Sequence, residues 1–299
     1  MIKNNWNTAD IPDQTDRVAI VTGSNSGIGF ETAKTLAAKN ADVIMACRSM
    51  EKAQRALEKL KKGLPNAKIR IMSLDLSDLE SITNFCELFR SEYSRLDLLI
   101  NNAGVMVPPY SKTKDGFELQ MGTNHLGHFA LTGHLLDILE ATPDSRIVSV
   151  SSAAHNFGKP DLTDLHWEHR KYKPWRAYGD SKVANLYFIY HLADLLSARG
   201  SKVVCAAAHP GWSATELQRN TGLVSFLNPI FGQDSTMGAL PTLYAACGTD
   251  VVSKDYFGPS GFMEMKGFPK KVKSNGLSHD KTIADRLWKI SENLTGVNF

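Results

Sequence analysis

The 299-residue chain has little of what marks several classes of protein. Its four cysteines (Cys47, Cys86, Cys205, Cys247) lie far apart and form no CxxC pair. That excludes a disulfide framework, argues against a zinc site and fits a reducing compartment. No run approaches the ~18 to 20 apolar residues that cross a bilayer. The opening MIKNNWNTADIPDQTDR lacks the apolar centre of a secretory signal, so residues 1–16 read as a polar arm ahead of the first strand. Neither sign of charge dominates: 34 Lys and Arg against 31 Asp and Glu leave +3, too weak a bias for nucleic acid or anionic lipid as the main partner. Apolar residues at 42%, with 22 glycines and 12 prolines, exclude collagen-like and disordered chains. The expectation is a globular cytoplasmic protein with a large core and no membrane span.

What is present is alternation. Short apolar runs occur at 17–22, 42–47, 67–74, 96–100, 146–150 and 202–207, with a seventh candidate at 255–258. They lack strict polar alternation, as strands buried on both faces do. Stretches of helical spacing, among them 29–39, 50–62, 79–93 and 178–199, separate them. Repeated β-α-β units predict an α/β fold: a single Rossmann-type domain over 17–299, a doubly wound parallel sheet of about seven strands with helices on both faces. A prior of about 150 residues per domain would suggest two, but no composition break serves as a linker. The basic cluster at 169–173 reads as a solvated face.

The turn Thr22-Gly-Ser-Asn-Ser-Gly-Ile-Gly29 joins the first strand to the first helix. Gly23, Gly27 and Gly29 form G-x3-G-x-G, not the G-x-G-x-x-G dinucleotide fingerprint, but the physics is shared. Glycine permits a tight turn and close approach of backbone to a pyrophosphate seated on free helix amides. Ser24, Asn25 and Ser26 offer side-chain donors, and Ile28 completes the turn. The second strand ends Ala46-Cys47-Arg48, where NAD binders place an acid for the ribose hydroxyls. A guanidinium there grips a 2′-phosphate instead, which predicts NADP(H) over NAD(H). The plainer alternative is an exposed loop arginine.

Tyr178-Gly-Asp-Ser-Lys182 places a phenol and an ammonium one turn apart on one helix face. A free tyrosine, with a pKa of about 10, is too weak a base near neutrality. A neighbouring cation is expected to lower it for proton transfer. Val150-Ser-Ser152 ends the fifth strand, where a parallel sheet opens into its ligand crevice and a hydroxyl can hold a carbonyl or alcohol oxygen.

Together these pieces resemble the short-chain dehydrogenase/reductase superfamily. The matching segments, in the family's order over roughly residues 17–215, are TGSNSGIG (22–29), Asp75-Leu76, NNAG (101–104), Asn124 in GTNHLGHF, SVSS (149–152), YGDSK (178–182) and HPGWSAT (209–215). The resemblance implies hydride transfer between a nicotinamide and a carbonyl or alcohol carbon. It makes Tyr178 the acid/base, Lys182 the residue that tunes it and bonds the nicotinamide ribose, and Ser152, the second of its pair, the substrate-orienting hydroxyl. Asn124 would complete a water-mediated proton relay. Asp75 and Leu76 would meet the adenine, and Asn101, Ala103 and Gly104 would line the cofactor. Pro210, Gly211 and Thr215 would hold the carboxamide, although Ser213 stands where the family has a β-branched aliphatic residue. Family members form dimers or tetramers, so a homodimer or homotetramer is implied.

From Ser152 to Tyr178 is 26 positions, about twice the family's usual spacing. The insert, 153–177, carries Phe157, Trp167, Tyr172 and Trp175 and resembles the retinol dehydrogenase and protochlorophyllide reductase-like branch. The segment 216–236, apolar over 217–231, is a mobile lid in such proteins; a subunit interface or a membrane contact fits the same residues. The aromatics either pack over the sheet edge or line a pocket for a hydrophobic aldehyde, ketone or alcohol. His125 and His128, at i and i+3, are accompanied by no HExxH glutamate and read as polar or packed residues, with no metal expected. Asn185 and Tyr187 read as packing. The alternative function is a nucleotide-binding redox sensor or partner-binding protein without turnover.

Overall fold

Strand β1 (Val18–Thr22) has all five residues buried, and its neighbour β2 (Asp42–Cys47) all but the first. The reason is visible in where alternate side chains go. Ile20 and Ile44 join a cluster with Phe85, Phe129 and Leu186 on one face, while Ala19, Val21, Val43 and Met45 join Phe30, Leu36 and Leu243 on the other. A strand covered on both faces carries no polar period. The computed structural model describes residue 3 and residues 5–211 and 234–299.

Strands β3 (Ile69–Ser73), β4 (Leu98–Asn101), β5 (Arg146–Val150), β6 (Val204–Ala208) and β7 (Tyr256–Pro259) extend a parallel sheet, and β8 (Pro269–Lys271) closes it antiparallel to β7. The order is β3-β2-β1-β4-β5-β6-β7-β8. The sequence predicted about seven strands. The extra one is three residues long, begins with proline and has no apolar pattern, as an edge strand can. The chain turns outward in opposite directions from β1 and β4, so a crevice opens at their carboxyl ends, the usual ligand position in such sheets.

Helices α1 (Gly27–Ala38), α2 (Met50–Gly63) and α8 (Ser235–Cys247) cover one face. The other carries α3 (Leu79–Glu92), α5 (Gly127–His134), α7 (Pro174–Ala198) and α9 (Lys281–Thr295), with the short α4 (Leu119–Met121) and α6 (Leu136–Ala141) flanking α5. Between α4 and α5 the helix widens into a π-helical segment, Gly122–Leu126. Helix α7 starts on Pro174, whose fixed φ suits a first turn, so Tyr178 stands one turn inside the helix rather than at its start. Among the described residues no helix is long and apolar enough to cross a membrane.

The segment ahead of β1 lies against the α8 layer. Trp6 is 6% exposed and meets Tyr244 edge-on at 4.8 Å between ring centroids, and Ile11 is buried in the same cluster. Truncating a buried tryptophan typically costs about 3 kcal/mol. Trp6→Ala is therefore expected to lower the urea midpoint accordingly; a loss below about 0.5 kcal/mol, the usual size of a surface substitution, would show that the segment adds nothing to the core.

Candidate active site

The crevice at the β1–β4 switch is a cleft lined from one end to the other by residues that the sequence singled out. Gly23, Asn25, Ser26, Gly27, Ile28 and Gly29 form its floor, Arg48, Asp75 and Leu76 one end, and Ala103, Gly104, Tyr178, Lys182 and Pro210 the other. At the floor, a methyl group on Gly29 would sit 2.5 Å from the Gly23 carbonyl oxygen and from Asn102 Nδ2. Only glycine leaves the backbone open there. Ser26, at the N-cap of α1, makes no side-chain cap bond, and the first turn carries no acid. The positive end of the helix dipole is thus open to an anion.

At the Arg48 end, Ser49 caps α2 by accepting from the Lys52 amide, which brings the Lys52 side chain to the same wall. Both cations are exposed, and neither is paired with a carboxylate among the described residues; the nearby Glu51 is bound to Arg55 instead. Lys52 was missed in the sequence, although its spacing of four from Arg48 on a helix start was a usable signal.

At the other end, Tyr178 and Lys182 are 7% and 4% exposed, with Lys182 Nζ 5.7 Å from the Tyr178 ring centroid. Lys182 Nζ donates to the Val150 carbonyl at 3.1 Å, and Asn185 Nδ2 donates to the same oxygen at 3.2 Å. The expected lowering of the phenol pKa by Lys182 does not occur here. Burial dominates and pushes Tyr178 up to about 12, opposed only by the facing Ser152 hydroxyl, and burial pulls Lys182 down to about 8. Of the serine pair, Ser151 donates to the Lys182 carbonyl at 2.8 Å and is tied into the helix, whereas Ser152 is the one facing the phenol.

Several expected cofactor residues point elsewhere. Ser24 Oγ donates to the Val21 carbonyl and is fully buried beside Cys47. Asn101 ends β4 with its amide on Thr132, and the next residue, Asn102, lines the cleft; adjacent side chains on a strand face opposite ways. Asn124 is fully buried in the π-helical segment, its amide spent on both backbone groups of Val105 and on Ser181 Oγ. Gly211 follows the cleft wall at φ +68°, and Thr215 and the apolar 217–231 stretch lie outside the described residues. Val105 and Thr123 line the cleft without having been singled out.

The insert is held by two polar residues that the sequence did not flag. Tyr172 Oη donates to the buried Glu118 carboxylate at 2.7 Å, while Gln120 accepts from the Val107 amide and donates to the Pro174 carbonyl. Trp167 is buried against Tyr172 and carries the Arg170 guanidinium at 3.6 Å, so this part of the insert is packing, while His169, Lys171 and Lys173 of the basic cluster stay exposed. Phe157 and Trp175 stay 45% and 42% exposed. The histidines diverge: His125 Nε2 meets Ser291 Oγ, His128 Nε2 meets Thr22 Oγ1, and burial lowers them to about 3 and about 4.

The buried ammonium has a measurable consequence. The folded chain gives up the Lys182 proton near pH 8, the unfolded chain near the usual 10.5, so between those values the unfolded state binds more protons and stability from this group rises with pH. Chemical denaturation of the cofactor-free protein from pH 7.5 to 10 is expected to show that rise in wild type relative to Lys182→Met, a comparison that cancels the opposite trend of the buried thiols of Cys47, Cys86, Cys205 and Cys247, which burial pushes up. An equal rise in the variant would assign it to another group.

The profile of the short chain dehydrogenase family matches residues 17–223. Retinol dehydrogenase 12 of Mus musculus is 40% identical over 288 residues, covering 95% of this chain and 87% of its own. Retinol dehydrogenase 13 of Homo sapiens is 41% identical over 300 residues, with 97% and 86% covered. Among solved structures, an uncharacterised protein of Mycobacterium paratuberculosis superposes with a TM-score of 0.85 at 40% identity over 99% of both chains. A short chain dehydrogenase of Shigella flexneri 2a, complexed with NADP, gives 0.61 at 25% identity, covering 82% of this chain and 96% of that one. The family match takes in both ends of the cleft, the glycine turn and the Tyr178 corner alike, and on these grounds the chain belongs to the short-chain dehydrogenase/reductase family, in its retinol dehydrogenase-like branch, and is a nicotinamide-dependent oxidoreductase.

Proposed function

We propose that the chain uses NADP(H) to interconvert the carbonyl and alcohol forms of a hydrophobic small molecule, with Tyr178 as general acid/base. The observation that carries this reading is one continuous cleft with Arg48 and Lys52, which have no carboxylate partner among the described residues, at one end and the Tyr178–Lys182 pair at the other. The bare glycine turn suits a dinucleotide, since a side chain at Gly29 would strike the Gly23 carbonyl and Asn102 and force the turn out of shape. Gly23 to Gly29 would cradle the pyrophosphate, Asp75 and Leu76 the adenine, and Ala103, Gly104, Lys182 and Pro210 the nicotinamide half. When bound, the nicotinamide supplies or accepts the hydride.

The chain's own groups handle the proton. A phenol held up to about 12 stays protonated at neutral pH and starts as a donor, which suits carbonyl reduction. The Lys182 ammonium, still largely charged below its pKa of about 8, opposes the negative charge that builds on Tyr178 Oη as the proton leaves. Ser152 faces the same phenol and orients the reacting oxygen. Phe157 supports an apolar substrate: its ring lies against Gly179, beside Tyr178, and is 45% exposed. The retinol dehydrogenase relatives support the same class of lipophilic alcohol or aldehyde.

Tyr178→Phe is expected to abolish carbonyl-dependent NADPH oxidation while NADPH still binds by fluorescence titration; substantial residual turnover would remove Tyr178 from its role. Arg48→Asp exchanges charged hydrogen bonds for repulsion. At about 1.5–3 kcal/mol for such bonds, it should lower kcat/KM with NADPH by about 10- to 100-fold and spare or improve NADH. A panel of aldehydes and ketones with both cofactors reads this directly, and a wild-type preference for NADH would overturn the NADP assignment.

A further inference from the structure

We infer that Glu264, on the hairpin between β7 and β8, is a positioning residue for the nicotinamide end of the cleft: it fixes His209, and through His209 the Pro210–Gly211 turn. The inference rests on the proposed reaction for its functional half. Its structural half stands on the cluster itself.

His209 follows β6 directly and is 1% exposed. The Gly211 amide donates to His209 Nδ1 at 3.3 Å, so Nδ1 is the bare nitrogen, and Nε2–H donates to Glu264 Oε2 at 3.0 Å. The bond holds the Glu264 carboxyl below its usual range. One carboxylate therefore sets the tautomer and the ring plane of a histidine that in turn accepts from the turn beside the cleft. Pro210 of that turn lines the cleft with Tyr178 and Lys182. The surroundings are shaped for the imidazole, because a methyl group on Gly258 of β7 would lie 2.0 Å from His209 Nε2.

The hairpin is bent to deliver this carboxylate. Met263 and Glu264 both adopt left-handed backbone, φ +48° and +55°, which non-glycine residues hold only where their surroundings enforce it. Apolar burial does not enforce it, since Phe262 and Met263 at the tip are 79% and 74% exposed. Among the described residues the tip is tied down by the Gly261 amide on the Lys266 carbonyl, the Glu264 amide on the Gly261 carbonyl, the Met265 amide on the Phe262 carbonyl and the Glu264–His209 bond, and it packs on the Gly211 backbone, where a methyl group would lie 2.4 Å from the Met265 carbonyl oxygen. A strained turn with its apolar side chains in water and its acid turned inward is built around the acid.

The test compares wild type, Glu264→Ala and Glu264→Gln, whose amide oxygen still accepts from Nε2–H. In the cofactor-free proteins, amide hydrogen exchange at Gly211 is expected to quicken by about tenfold or more in the alanine variant and stay near wild type in the glutamine variant. With NADPH bound, the emission of the reduced nicotinamide should shift in the alanine variant only, and kcat should fall about tenfold with the KM for NADPH nearly unchanged. Unchanged Gly211 exchange in Glu264→Ala, or fast exchange with unaltered emission and kcat, overturns the inference. Should the alanine variant not fold, the ring nitrogen shifts of wild-type His209 decide: a protonated Nε2 and bare Nδ1 agree, and the opposite tautomer refutes it. An intact clamp in a protein that binds NADPH but reduces none of the aldehydes and ketones in the panel would count against the proposed reaction and leave the clamp standing.

Discussion

The cleft depends on one buried hydroxyl. Thr22, the last residue of β1, accepts from the amides of Asn102 and Ala103 on its oxygen and so fixes the chain just after β4, where the cleft wall begins. The same oxygen lies 2.9 Å from His128 Nε2. His128 Nδ1 faces the Asn124 carbonyl at 3.0 Å, and a carbonyl only accepts, so Nδ1 carries the proton and Nε2 takes the Thr22 hydroxyl hydrogen. Burial lowers His128 to about 4, so the ring stays neutral through the neutral range and the Asn124 carbonyl sets which nitrogen keeps the proton. The glycine turn, the loop after β4 and the π-helical segment are thereby joined through the Thr22 hydroxyl and the His128 ring. A π-helical segment, with its wider ring of hydrogen bonds, often marks a functional site. Here it puts Thr123 on the cleft while the Asn124 amide clamps Val105 and Ser181 behind it.

Electrostatics at the Tyr178 end run opposite to the simplest expectation. Two groups of opposite titration type sit one helical turn apart, and desolvation moves both toward their neutral forms. Mutual attraction would do the reverse, but Nζ is directed at the Val150 carbonyl and not at the phenol oxygen. A protonated phenol next to a readily neutralised ammonium is a reservoir whose balance shifts with whatever polar group enters the cleft.

Much of the fold was legible in the sequence because it is made of local pattern. Six apolar runs between helical stretches correspond to β1–β6, and β2 and β5 match residue for residue, since a strand covered on both faces shows an unbroken apolar run. The glycine turn and Arg48 were legible for the same reason: each carries its chemistry in its own backbone or at a strand end. Illegible were directions. Nothing local says that Ser24 turns inward, that Asn102 rather than Asn101 lines the cleft, or that Asn124 is consumed by Val105 and Ser181. Those outcomes follow from pleat and from partners distant in sequence. The Tyr178 pKa failed for a related reason. A spacing of four gives proximity but not depth, and depth decided the sign.

The same distinction separates the residues that hold this site from those that fill it. Tyr178, Lys182 and the glycines sit where the chain must put them, at one helix face and one strand end. Their supports come from afar: Glu118 reaches Tyr172 across 54 positions, His209 meets Glu264 across 55, and His155 accepts from the Asn275 amide across 120. Each support is a buried or half-buried polar group with a specific partner, and a polar group in such a place is tolerated only when its bonds are made. The apolar core does not need that precision, because packing tolerates many similar solutions. A polar contact between a strand end and a distant hairpin has one, and a substrate site must be held to within a fraction of an ångström for proton transfer. The β7–β8 hairpin and the approach to α9 have the weakest sequence pattern, yet they carry two of these bonds: Glu264 accepts from His209, beside Pro210, and the Asn275 amide donates to His155, three residues past Ser152.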